Sequence, residues 1–134
     1  MTGNSGGGVL TAYTSALDER IKVSLPSCSF TSITSNTGYI FHCDCCAIPG
    51  IKDWGDFRDL GGLIAPRSLL IVHGIKDGLH SKIDVEKTTD AIKAIYSNRK
   101  ASDKMSMRWG KSGHKFYPDI MWPFIQKALA GISK

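Results

Sequence analysis

The chain has 134 residues, which suits a single domain, and its 42% hydrophobic and 22% charged residues are ordinary for a globular protein. Its net charge of +5 comes from 17 basic and 12 acidic residues, and the basic residues are scattered rather than grouped in runs. We therefore expect no nucleic-acid partner, and the short apolar runs, far below the ~20 residues of a membrane span, predict no membrane association.

The first predicted element has two interpretations. The stretch Gly3-Asn4-Ser5-Gly6-Gly7 fits the G-x-S-x-G turn that presents a nucleophilic serine between a strand and a helix, but it also fits a glycine linker. A helix follows at once and should end before residue 18. Only Met1 and Thr2 come before the motif, too few for the strand that should lead into it. Taken alone, the stretch favours a linker.

The middle of the chain predicts two strands separated by a long excursion. Alternating apolar and polar residues over 21–25 are typical of a strand, which we expect Pro26 to close. Residues 26–67 form a cap-like excursion with one short helix near 53–63. The apolar run 69–72 is typical of a strand buried on both faces of a parallel sheet.

The last third of the chain alternates between helix and strand. Ser81 and Asp84 fit a capping box that opens a helix, residues 105–109 alternate as a third strand, and Pro118 begins the last helix. Strands alternating with helices predict a parallel sheet, so the expected fold class is α/β with three layers (α/β/α). We expect one domain over 1–134, with too few strands for a complete doubly wound sheet.

Two residues that follow predicted strands could complete a catalytic site with Ser5. Asp77 comes after strand 69–73, and His114 comes after strand 105–109. The carboxyl ends of parallel strands meet at one edge of a sheet, where catalytic groups gather. Serine, acid and histidine also follow one another in the chain order of elbow-type hydrolases. Each residue alone has an ordinary interpretation as a turn or loop residue, but the three together favour a nucleophilic site.

With these motifs the chain resembles the C-terminal half of an α/β-hydrolase, of the branch that contains acetyl xylan esterases and related acetyl esterases. The resemblance covers nearly the whole chain and rests on these stretches: Gly3–Gly8, 16–21, Pro49-Gly50, Asp59-Leu60, 64–70, His73-Gly74-x-x-Asp77 and Gly113-His114. It implies a truncated α/β-hydrolase fold with a short, mostly parallel sheet that lacks the N-terminal strands.

The resemblance also implies a mechanism. Ser5 would be the nucleophile, His114 the general base and acid, and Asp77 the residue that orients the imidazole in an acyl-enzyme cycle. The Gly6 N–H would be one oxyanion donor, whereas the second donor normally comes from an earlier loop that this sequence does not contain. The implied protein is a serine carboxylesterase for acetyl or short acyl esters, of carbohydrates above all, with no cofactor.

Two alternatives to a complete enzyme remain open. The chain could be a catalytically impaired hydrolase fragment with an interaction or structural role. Because the missing strands would leave an unpaired strand edge, we also expect that the chain either completes its sheet by forming a homo-oligomer or is a fragment of a longer enzyme.

Cysteine usage bears on location and on metal binding. Cys28 is isolated and Cys43, Cys45 and Cys46 are clustered, which does not fit a secreted disulfide framework and favours a cytoplasmic setting. The cluster 42–46 could offer ligands to Zn²⁺, but a tetrahedral site usually needs a second, separated pair, so ordinary thiols are favoured and no metal is expected.

Two further residues are candidates for substrate contacts. Trp54 lies in the excursion, where its ring could line an acyl or sugar pocket, and His80 lies in the acid loop three residues after Asp77. Both have an ordinary alternative interpretation as packing or loop residues.

Overall fold

The computed structural model of the chain describes residues 1–33 and 48–132, so the cysteine cluster 42–46 lies outside the described residues. No helix in the described part is long and apolar enough to cross a membrane. The elements are, in order: β1 (Thr2–Asn4), α1 (Gly6–Leu17), β2 (Val23–Ser27), α2 (Ile51–Trp54), α3 (Phe57–Ile64), β3 (Ser68–Gly74), α4 (Lys82–Asn98), β4 (Met105–Gly110) and α5 (Pro118–Ile132).

The four strands form one sheet in the order β1-β2-β3-β4, and each neighbouring pair is parallel. The α/β class with a short parallel sheet is therefore confirmed. The expectation that no strand leads into the glycine motif is wrong, because β1 begins at Thr2 and pairs with β2 through Asn4. Three residues are enough here since the Leu25 N–H donates to the Met1 carbonyl at 3.0 Å and the pairing continues from there.

Strand β2 does not end at Pro26, as the sequence pattern predicts. Proline has no N–H to donate, but the bonds on either side of it maintain the sheet: Leu25 N–H donates to Met1, and Cys28 N–H donates to the Val72 carbonyl at 2.8 Å. All five residues of β2 are buried, so the alternating pattern does not mark an exposed face.

Helices cover both faces of the sheet, which confirms the three-layer arrangement. Helices α1, α3 and α4 pack on one face, and α5 packs on the other. Alternate residues of β3 supply the two cores, and burying each such side chain contributes about 1.5–3 kcal/mol. The first core contains Val9, Ala12, Phe30, Phe57, Leu60, Ile64, Leu69, Ile71, Ile92 and Tyr96. The second contains Val23, Leu25, Leu70, Val72, Tyr117 and Met121.

The cap-like excursion 26–67 needs correction in its described parts. Its start belongs to β2, and its end holds two helices, α2 and α3, instead of one. Helix α3 packs between α1 and α4 and buries Phe57, Leu60 and Ile64, so it is a core helix and not a cap. Residues 34–47, the remainder of this excursion, lie outside the described residues.

The predicted capping box at α4 is also wrong. Ser81 occupies the N-cap position, but its side chain makes no capping hydrogen bond. The capping box in the described part of the chain is found at α3, where Asp56 and Asp59 bond to each other's backbone N–H groups.

Two neighbouring glycines of α1 provide a test of this packing. A Cβ at Gly8 would overlap the Ser29 side chain and lie 2.7 Å from the Ser27 carbonyl oxygen, whereas a Cβ at Gly7 would meet nothing within 4 Å. Gly8→Ala should lower the free energy of unfolding by about 1–3 kcal/mol through overpacking. Gly7→Ala, the matched control, should raise it by about 0.5 kcal/mol through helix propensity.

Denaturant unfolding followed by circular dichroism measures both variants. If Gly8→Ala were as well tolerated as Gly7→Ala, α1 would not approach the end of β2 as closely as described.

Candidate active site

The candidate nucleophile lies in a sharp turn between β1 and α1. Ser5 has φ 55° and ψ −121°, a backbone conformation that side-chain-bearing residues rarely adopt and that costs about 1–3 kcal/mol. Two hydrogen bonds hold it: Ser5 N–H donates to the Ser27 carbonyl at 2.9 Å, and the Ser5 carbonyl accepts from Val9 N–H at 2.9 Å. The glycine stretch is therefore a structured strand–turn–helix connection and not a linker.

The glycines around Ser5 allow close backbone contact. A Cβ at Gly3 would overlap the backbone of Gly7, and one at Gly8 would overlap the Ser29 side chain. Side chains at these two positions would push α1 away from the strands, and the turn at Ser5 would open.

The candidate acid and base form a hydrogen-bonded pair at the same edge of the sheet. Asp77 follows β3 and His114 follows β4, and His114 Nδ1 lies 2.9 Å from Asp77 Oδ2. The second carboxylate oxygen of Asp77 accepts from Leu79 N–H at 2.9 Å. The Asp77 side chain is 1% exposed and that of His114 is 23% exposed. The acid is thus buried behind an accessible imidazole.

Backbone hydrogen bonds fix the loops that carry this pair. Ile75 N–H donates to the Gly110 carbonyl at 2.8 Å, and Lys76 N–H donates to the Ser112 carbonyl at 3.0 Å. A Cβ at Gly74 would overlap the Gly113 carbonyl, so glycine is needed where the two loops meet. The distance between Asp77 and His114 is therefore set by backbone contacts as well as by the side chains.

Ser27, at the end of β2, connects the serine turn to the histidine loop. Its carbonyl accepts from Ser5 N–H, and its hydroxyl donates to the carbonyl of Lys115, the residue after His114, at 3.2 Å. The Cys28 thiol lies 3.5 Å from the same Lys115 carbonyl. One residue thus contacts both parts of the site. No hydrogen bond joins Ser5 to His114, since His114 Nε2 is buried and has no hydrogen-bond partner among residues 1–33 and 48–132.

The electrostatics of the site favour an ionised acid. Burial alone would raise the pKa of Asp77, but the hydrogen bond from Leu79 N–H and the interactions with His114 and His80 outweigh it and hold this pKa below its usual range. Burial raises the pKa of the neighbouring Cys28 thiol, so Cys28 stays protonated.

The two candidate substrate contacts, His80 and Trp54, stay predictions. His80 is 8% exposed at its side chain, its Nδ1 is 3.8 Å from Asp77 Oδ2, and its ring centroid is 5.8 Å from that of His114. Trp54 ends α2 and is 60% exposed, and no described contact joins it to the acid–base pair.

Gly6, the candidate oxyanion donor, occupies the first position of α1. Its N–H is among those that have no acceptor within the helix, and the positive end of the helix dipole lies at the same point. Both features suit an N–H that binds developing negative charge beside Ser5.

Sequence reasoning missed two residues that shape this site, Ser27 and Cys28, and gave a third, His73, only a minor part as a possible active-site contact. Ser27 and Cys28 follow Pro26, which marked the expected end of the strand, and the positive φ of 48° at Cys28 belongs to the turn after β2. His73 is completely buried in β3, and burial lowers its pKa to about 3, so it is neutral. The signal for His73 was its position four residues before Asp77 at the end of an apolar strand.

Comparisons with known proteins are consistent with this architecture. No protein-family model matches the chain. A protein of Bacillus subtilis (strain 168) named "Putative hydrolase YtaP" is 29% identical over 120 residues, which are 84% of this chain and 38% of that protein.

Three solved structures resemble the chain in fold. A carbohydrate esterase family 15 glucuronoyl esterase from Caldicellulosiruptor kristjansonii has a TM-score of 0.77 and 18% identity, over 97% of this chain and 42% of its own. TT1662 from Thermus thermophilus has a TM-score of 0.70 and 19% identity, over 96% and 53%. Methylesterase BT1017 has a TM-score of 0.69 and 24% identity, over 97% and 28%.

The chain spans 38% of its curated relative and no more than 53% of these three structures. Because each of these structures is less than 25% identical to the chain, they support a shared fold and nothing further. The sheet is parallel, helices cover both of its faces, and the structural match extends over nearly the whole chain. We conclude that this protein has the α/β-hydrolase fold, over the portion of that fold that its 134 residues span.

Proposed function

We propose that this chain carries the catalytic residues of a serine carboxylesterase. Ser5 would be the nucleophile, His114 the general base and acid, and Asp77 the residue that orients His114. The observation that carries the proposal is the 2.9 Å contact between His114 Nδ1 and Asp77 Oδ2, at the sheet edge where the strained turn presents Ser5. The names of the similar proteins, a hydrolase and several esterases, support the same reaction class.

The proposed cycle uses both nitrogens of His114. Because Nδ1–H donates to the ionised Asp77, Nε2 carries the lone pair and can accept the proton of the Ser5 hydroxyl as its oxygen attacks the ester carbonyl carbon. The tetrahedral intermediate then collapses, the alkoxide leaving group takes the proton from Nε2, and an acyl–Ser5 ester remains. Water, deprotonated by the same Nε2, attacks this ester and releases the carboxylic acid and free Ser5.

Charge stabilisation at the oxyanion is the weak point of the proposed site. We assign one donor, the Gly6 N–H, and none of the other described residues is assigned as the second. Removing one of two such donors typically costs about 10²–10³ in rate. We therefore expect low turnover from this chain alone.

The substrate class we propose is an ester of a carbohydrate. Acetyl or short acyl esters are one form, as the resemblance to acetyl xylan esterases implies. The similar structures named glucuronoyl esterase and methylesterase favour a second form, in which the sugar acid supplies the acyl group. We also propose a cytoplasmic location, because the cysteine pattern does not fit a secreted disulfide framework. Cys28 is free and buried.

The alternative function is an impaired hydrolase fragment that acts as an interaction or structural module. Its support is that we assign only one oxyanion donor among the described residues, because a site with a single donor stabilises the oxyanion less well. Ser5-dependent chemistry distinguishes the two functions.

We further propose that copies of the chain associate through β1. In the described sheet β1 is an edge strand, so one side of its backbone is unpaired. Size-exclusion chromatography with light scattering should give a dimer or larger assembly. A well-folded monomer at all concentrations would contradict this arrangement.

The esterase proposal is tested with two substrates and two serine variants. Wild-type chain should hydrolyse p-nitrophenyl acetate or the methyl ester of glucuronic acid, and Ser5→Ala should lower kcat/KM by about 10³-fold or to the uncatalysed rate. Ser112→Ala, a matched control in the histidine loop, should keep wild-type activity. Hydrolysis that is absent, or that persists in Ser5→Ala, would contradict the proposal and favour the structural module.

A further inference from the structure

A second group of side chains lies against Asp77 next to His114, whose ring centroid is 5.8 Å from that of His80. His73, Asp77 and His80 each offer a ligand atom, and these atoms lie within 4.8 Å of one another. His80 Nδ1 is 3.8 Å from Asp77 Oδ2, and the centroids of the His73 and His80 rings are 5.3 Å apart. The proposed ester chemistry uses neither of these two histidines.

His73 has the arrangement typical of a metal-binding histidine. Its Nε2 lies 3.1 Å from the Phe30 carbonyl oxygen, and because a carbonyl oxygen only accepts, Nε2 is the ring nitrogen that carries the proton and donates it. Nδ1 then carries a lone pair, and it is buried without a hydrogen-bond partner in the described part of the chain. Metal-ligating histidines usually donate their other N–H to a backbone carbonyl or a carboxylate, as His73 does.

The donor set and its spacing point to one class of ion. Two imidazole nitrogens and one carboxylate oxygen suit Zn²⁺, which binds such ligands at about 2.0–2.2 Å in tetrahedral geometry. Ligand atoms of such a site lie about 3.3 Å apart, so the 3.8 Å between His80 and Asp77 requires only a small rotation of the imidazole. A water molecule would fill the fourth position.

We propose that His73 Nδ1, the Asp77 carboxylate and His80 Nδ1 form a binding site for Zn²⁺. Binding draws the Asp77 oxygen that accepts from His114 toward the ion, because Oδ2 is the atom near both histidines. Zinc is therefore an inhibitor of the site. The inhibition rests on the proposed esterase function, whereas zinc binding itself does not.

The test measures zinc binding and activity separately. All variants are made in a background in which Cys43, Cys45 and Cys46 are changed to serine, so that this cluster cannot bind the metal. Calorimetric titration with Zn²⁺ should give one ion per chain, and His80→Gln should weaken binding by about 10²-fold. His42→Gln, the matched histidine control, and Ser5→Ala should bind as the background does. Unchanged affinity in His80→Gln would overturn the proposal.

A second measurement needs no variant at the site and guards against misfolding of His80→Gln. A long-range ¹H–¹⁵N spectrum of the imidazoles should show Zn²⁺ moving the Nδ1 resonances of His73 and His80. Changes confined to His42 and His114 would overturn the assignment. So would a sulfur-to-metal absorption band with Co²⁺ in the same background, since Cys28 would then be a ligand.

Ester hydrolysis is measured only after zinc binding has been established. Zinc at the concentration that saturates the site should abolish ester hydrolysis in the background chain and leave it unchanged in His80→Gln. If zinc binds as described but the chain has no Ser5-dependent hydrolysis, the site stands and the esterase proposal fails. If zinc inhibits both proteins equally, it acts elsewhere and the inhibitory role is overturned.

Discussion

The hydrogen bonds of Ser27 hold the candidate site together. Its carbonyl accepts the N–H of Ser5, whose backbone would otherwise relax from a conformation that costs about 1–3 kcal/mol, and its hydroxyl donates to the loop that carries His114. Parallel pairing of β2 with β1 and β3 places Ser27 at the edge where all three candidate residues follow their strands. The geometry of the site therefore depends on the core that fixes β2, and the strain at Ser5 is offset by that core.

Asp77 is the electrostatic centre of this arrangement. It lies almost completely buried, yet the Leu79 N–H and the nearby imidazoles hold its pKa low, so a negative charge persists there. Two histidines, His114 and His80, lie within 4 Å of the same carboxylate oxygen. One contact orients the proposed catalytic base, and the other belongs to the proposed zinc site, in which Asp77 would also be a metal ligand. A single carboxylate therefore links catalysis to inhibition in this account.

Much of the fold was predictable because it follows from periodic patterns. The parallel sheet and its layers were predicted from three patterns: the apolar run in β3, the helical spacing in α4 and α5, and the order of strands and helices. The three-residue strand β1 was not predictable from periodicity, since Thr2, Gly3 and Asn4 carry no apolar alternation. Helix α3 lies in the long excursion that the sequence predicted as a cap, and only tertiary packing shows that it belongs to the core.

The candidate site was predictable where chain order and strand ends carry the information. Asp77 and His114 were predicted as partners, and they form a hydrogen bond. The bridging role of Ser27 was not, since it depends on a contact with Lys115, 88 residues further along the chain. The contact between His80 and Asp77 was not predicted either, although the two residues are only three apart in sequence. The measurement that tests the central claim most directly is covalent labelling with a fluorophosphonate, followed by peptide mass analysis. We expect one phosphonate per chain, on Ser5. No labelling, or labelling on another residue, would contradict it.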